Sequence, residues 1–146
     1  MQVYRGLKMT IIEKKEYLKR YKRAKQRIEA ITTELENIRL EALPGGIDYS
    51  RDKIQFSPSN SQMDDYVIKV ETLINKLNKL KSDSVDICTE ILNVISSIDD
   101  DTYQAVLHRR YILLQSWEEI SESMHYSMQW VLLKHGEALA ELQILE

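Results

Sequence analysis

The sequence predicts an all-α fold in which a long antiparallel coiled-coil hairpin precedes a three-helix domain. Three observations predict it. Apolar residues recur at alternating spacings of four and three over two stretches of similar length. Of the four Gly and two Pro, all but Gly6 and Gly136 fall in one segment between those stretches. A hydroxyl side chain stands three residues ahead of a Glu at Thr10–Glu13 and Ser116–Glu119, the spacing of a capping box. With 146 residues and 43% hydrophobic content, the chain has the length for one domain, or for one small domain with an extension.

The first rod carries Tyr17, Tyr21, Ala24, Ile28, Ile31, Leu35 and Ile38 at heptad spacing. Thr10 and Glu13 start it near Ile11, and Pro44 stops it. Its outer face is basic, with Lys14, Lys15, Lys19, Arg20, Lys22, Arg23, Lys25 and Arg27. Beyond it, Pro44, Gly45, Gly46 and Pro58, with Ser50, Ser57, Ser59, Asn60 and Ser61, mark a linker over about 43–62. That is longer than a helical hairpin needs, so Asp52–Phe56 is either flexible linker or a short extended piece that docks.

The seam resumes with Tyr66, Val70, Leu73, Leu77, Leu80, Ser84, Ile87, Ile91, Val94 and Ile98. Two rods, 11–42 and 66–98, each extend about 48 Å at 1.5 Å per residue, and their matched lengths favour antiparallel pairing. A second stripe of Val67, Ile74, Cys88 and Ile95 calls for another neighbour, either the C-terminal domain or a second subunit. Cys88 is the single cysteine, so it forms no internal disulfide, and its place in that stripe predicts a packed thiol.

The domain boundary is expected at 98–99. Asp99, Asp100 and Asp101 suit a helix N-terminus, and Val106, Leu107, Tyr111 and Leu114 follow at helical spacing. Ser116 and Glu119 open a short helix from Trp117 to about Met124, with Ile120 also inward. Ser127 caps a last helix, in which Met128, Val131, Leu132, Ala138, Leu139 and Leu142 are expected to face inward. A short helix, a tight turn and a longer helix have helix-turn-helix proportions.

The strings Leu107-His108-Arg109-Arg110-Tyr111-Ile112, Ser116-Trp117-Glu118-Glu119-Ile120, Tyr126-Ser127, Trp130-Val131, His135-Gly136 and Ala138-Leu139 resemble the ArpU-type phage regulators of late transcription. The C-terminal unit of these proteins is similar to sigma-70 region 4. The resemblance extends loosely through Asp52–Pro58 and Tyr66–Leu73. It implies an all-α fold, a phage or prophage origin, promoter-proximal DNA binding and contact with bacterial RNA polymerase.

Ser127, Met128, Gln129, Trp130, Lys134 and His135 are the expected DNA-binding residues, since Gln pairs with adenine and Lys with phosphate or guanine. Arg110 and Glu119 are expected to form a structural ion pair. The charge distribution runs the other way. Residues 1–43 hold 11 Lys/Arg against 6 Asp/Glu, 44–98 hold 6 against 8, and 99–146 hold 3 against 9. An acidic reading head is unusual for a nucleic-acid binder. Three functions therefore stand: a late-gene transcriptional activator on duplex DNA, a phage inhibitor or adaptor that engages a host protein through an acidic helix-turn-helix, and a packaging protein like a terminase small subunit.

No phosphate-cradling Gly-rich loop or paired Cys is present, and His108, His125 and His135 lack the i, i+4 spacing of helix-borne metal ligands. Neither catalysis, a metal nor a cofactor is expected. No apolar run reaches a membrane span and the N-terminus lacks a signal-peptide core, so a cytoplasmic protein of the bacterial host cell is expected, without a membrane partner. A homodimer through the coiled coil would use the second stripe.

Overall fold

A computed structural model of the chain describes residues 8–42 and 60–145; the expected Asp52–Phe56 piece lies outside them. The described residues are helical, with no strand among them. Helices α1 (Ile11–Leu18), α2 (Arg20–Ala42), α3 (Asn60–Ser96), α4 (Asp101–Tyr111), α5 (Trp117–Met124) and α6 (Met128–Glu141) follow in order. None is long and apolar enough to cross a membrane.

The Thr10–Glu13 capping box opens α1 as its spacing predicts: Glu13 donates its N–H to Thr10 Oγ1 at 3.2 Å, and Thr10 N–H reaches the Glu13 carboxylate at 2.6 Å. The first rod is not the single helix expected. It breaks at Lys19, although Lys19 keeps right-handed angles (φ −72°, ψ −8°) and its N–H still bonds Lys15 O at 3.0 Å. Helix α3 begins at Asn60, six residues ahead of the expected Tyr66.

The chain divides into two compact units, and the division does not fall at 98–99. One unit joins the chain up to Ala24 with everything from Ser84 onward; the other is Lys25–Asp83. In the second unit the heptad positions are those that are covered. Ile31 and Leu35 are buried, and Ile28, Ile38, Tyr66, Val70, Leu73, Leu77 and Leu80 are half-buried. Val67 and Ile74, of the second stripe, are exposed.

In the first unit one apolar cluster explains the shifted boundary. Leu18, Ile91, Ile95 and Ile98 pack together with Leu107, Tyr111, Ala138, Leu139 and Leu142. The lower ends of the rods and the C-terminal helices thus share a core, and burying apolar area at about 25 cal/mol per Å² makes that shared core the cohesive feature. Ile95 of the second stripe belongs to this cluster with residues of the C-terminal helices, one of the two neighbours the stripe allowed, and Cys88 is half-buried. Leu18, which the heptad reading passed over, is completely buried there. Polar contacts reinforce the junction. Lys14 Nζ donates to Leu139 O at 2.8 Å, placing a cation at the carbonyl end of α6. Arg20 pairs with Glu90 at 2.9 Å.

Leu18→Ala is expected to lower the unfolding free energy by about 2–5 kcal/mol, because the emptied site is walled by three separate helical segments. Leu40→Ala, at a position 67% exposed, should change it by less than about 0.5 kcal/mol. Urea unfolding followed by circular dichroism checks both.

Candidate functional site

Helices α4, α5 and α6 form the part of the first unit in which the expected DNA-binding residues lie. Each has an N-cap that sequence predicts. Asp100 accepts from Tyr103 N–H at 3.0 Å, Ser116 from Glu119 N–H at 3.2 Å, and Ser127 from Trp130 N–H at 3.2 Å. The α4–α5 loop takes Leu114 into the left-handed region (φ 56°), so Leu114 does not continue the inward face of α4 as its spacing suggested.

Helices α5 and α6 are joined by three residues, His125, Tyr126 and Ser127. His125 is left-handed (φ 59°, ψ 37°) where a glycine would ordinarily stand, and Tyr126 N–H bonds Ser121 O at 3.2 Å. The Ser121 hydroxyl closes the turn onto Tyr126 O at 2.5 Å. Val106, Ile120 and Val131 form a second buried cluster, lined by Trp117, Met124 and Trp130, that holds α4, α5 and α6 together.

This cluster fixes the rotation of α6, and with it the fate of each expected site residue. Ser127 and Gln129 are exposed. Met128 and Leu132, expected inward, are 39% and 43% exposed, and Leu133 is 59% exposed. Trp130 is half-buried against the second cluster and stacks on Tyr126, ring centroids 3.7 Å apart. Lys134 is turned to the flank of the helix. Its ammonium pairs with Glu137 at 3.0 Å and lies 5.7 Å from the Trp130 ring centre.

His135 is not a surface contact residue. It is 6% exposed, its Nε2 lies 2.8 Å from the Tyr111 hydroxyl, and its ring meets Trp117 edge-on at 4.6 Å. Burial pushes its pKa down to about 4, aided by the charges of Lys15 and Arg110, so the imidazole is neutral. The signal was available: Val131, His135, Ala138 and Leu142 are spaced four, three, four, so His135 belongs to the buried seam.

The expected Arg110–Glu119 ion pair does not form either. Arg110 donates to Gln115 O at 3.0 Å and lies over the Trp117 ring at 4.3 Å. The Glu119 carboxylate instead accepts Ser116 N–H at 2.7 Å. Capping box and ion pair compete for the same carboxylate, and the local, pre-aligned cap takes it.

Two residues gained a role that sequence did not suggest. Glu137 accepts from Tyr103 Oη at 2.9 Å as well as from Lys134, and this holds its carboxyl below the usual range while raising Tyr103 to about 12. Lys134 is the sole Lys or Arg from Trp117 to the chain end, and it is paired. The exposed face of α6 is thus uncharged into its third turn: Met128, Gln129, Leu132, Leu133 and Gly136. Helix α5 carries three exposed acids, Glu118, Glu119 and Glu122. Among the described residues no group of His, Cys, Asp or Glu could hold a metal ion. Comparison of the chain with models of known families, with curated proteins and with solved structures returned no match.

His135 yields a pH dependence whose sign is fixed. Its native pKa lies below the ordinary 6.5, so its contribution is complete above about pH 6.5. As pH falls toward about 4 the unfolded chain takes up a proton that the native state excludes, costing at most about 1.4 kcal/mol per pH unit. In His135→Gln that part of the slope should vanish. Urea unfolding of both proteins between pH 7 and 4 measures the difference, and parallel profiles would contradict it.

Proposed function

We propose that the chain is a phage-encoded transcriptional regulator of the late-gene activator type, binding promoter DNA through a sigma region 4-like helix-turn-helix formed by α5 and α6 on α4. The helices up to residue 98 then form an antiparallel coiled-coil hairpin that engages RNA polymerase or a second copy. One observation carries this reading. A short capped helix and a longer capped helix meet across a three-residue turn, and the longer one, seated by Val131, leaves one face of its first two turns exposed. A helix presented in this way fits the major groove, which is about 12 Å wide.

The phosphate contacts in this reading come from few groups. The Ser127 hydroxyl and the N-terminal amides of α6 offer donors, and the first rod adds Lys22 with Lys19, Arg20 and Arg23. Arg20 is paired with Glu90, and Lys19 and Arg23 with Glu16. Surface pairs of this kind are worth about 0–1 kcal/mol, so they yield readily to phosphate.

A second reading is favoured by the exposed acids Glu118, Glu119 and Glu122 of α5: an adaptor that has exchanged DNA for a host protein. A gel shift with salt titration on phage late-promoter DNA separates the two. The DNA reading predicts binding at low salt, with a log–log salt slope no steeper than about −4, since each phosphate neutralised contributes about −0.9 and the first rod offers four cations. Gln129→Ala should weaken specific binding by roughly 1–3 kcal/mol, and Glu137→Gln should strengthen binding by releasing Lys134. No complex with any duplex at low salt would favour the adaptor.

A further inference from the structure

The exposed face of α6 differs from a typical reading surface in what it lacks. Gln129, Leu132, Leu133 and Gly136 bear no charge, Lys134 is tied to Glu137 on the flank, and His135 points into the core. Nothing lies within 4 Å of where a Gly136 side chain would begin, so this face stays open into its third turn. We propose that α6 reads A·T base pairs through the thymine 5-methyl groups, with Leu132 and Leu133 as the methyl contacts and Gln129 as the adenine-reading amide. This rests on the DNA-binding reading above.

The chemistry of the groove edge supports the assignment. A guanine presents two acceptors, O6 and N7, that call for an Arg or Lys, and α6 offers neither on this face. Leucine pressed against a G·C edge strips water from those acceptors and from the cytosine amino group without replacing their hydrogen bonds. Against an A·T edge the same leucine meets a methyl group, while the amide of Gln129 satisfies adenine N6 and N7 together. Leu132 and Leu133 follow Gln129 by about one helical turn, roughly 5.4 Å, so amide and leucines reach neighbouring base steps. Discrimination thus comes as much from rejecting G·C as from attracting A·T. It does not draw on attraction to phosphate, which the acids of α5 oppose.

The test uses the full chain and a random duplex library, selected at low salt and sequenced, followed by fluorescence anisotropy on the selected site. A·T steps should dominate the site. Replacing each contacted thymine by deoxyuridine, which removes only the methyl, should weaken binding roughly fourfold per base. Leu133→Ala, at an exposed position that folding does not need, should bind more weakly and lose its sensitivity to that replacement. A site dominated by G·C steps, or binding indifferent to deoxyuridine, overturns the methyl readout while DNA binding stands. Failure to retain any duplex overturns the DNA reading and the readout with it.

Discussion

Helix α6 has one seam to bury, Val131, His135, Ala138 and Leu142 with Leu139 beside it, and two clusters compete to cover it. Val131 sits with Val106 and Ile120, whereas Ala138, Leu139 and Leu142 sit with Leu18, Ile91 and Ile95. Holding both ends of one short helix in different clusters leaves it a single rotation. That rotation sends Gln129, Leu132 and Leu133 outward and draws His135 in, so the composition of the exposed face follows from the packing of the hidden one.

The polar residue in the seam shows how tightly the rotation is set. A buried imidazole costs several kcal/mol unless its nitrogen is partnered, and Tyr111 Oη supplies the partner from α4. Trp117 from α5 covers the ring and is itself covered by Arg110. Three helices are thus tied through one histidine. Tyr111 is raised to about 12 by the same burial, so the pair stays uncharged across the neutral range. The charged groups of α6 are displaced to its flank, where Lys134, Glu137 and Tyr103 satisfy one another.

Local signals in the sequence were legible where one short-range interaction decides the outcome. Thr10, Ser116 and Ser127 cap as the sequence predicts, and the heptad positions from Tyr17 to Ile38 and from Tyr66 to Ile98 are all covered. The errors arose where two demands met on one residue. Glu119 could not serve both cap and ion pair, and Leu114 gave up its helical position to a tight loop. Met128 and Leu132 share helical spacing with the buried Val131, His135 and Leu139, yet they are 39% and 43% exposed, a difference in cover that periodicity along one helix does not carry. The boundary at 98–99 missed for a different reason. Leu18 lies between 73 and 124 residues before the residues it clusters with, Ile91 to Leu142, and no window along the chain reveals such a contact.

The account places function on the outward face of α6, and a ¹H–¹⁵N NMR titration of the full chain with duplex DNA tests that placement most directly. It predicts that the largest amide shifts fall on Met128, Gln129, Leu132, Leu133 and Gly136, with the buried Val131 and Leu139 little changed. Shifts gathered on the basic residues Lys14–Arg23, with α6 undisturbed, would contradict it.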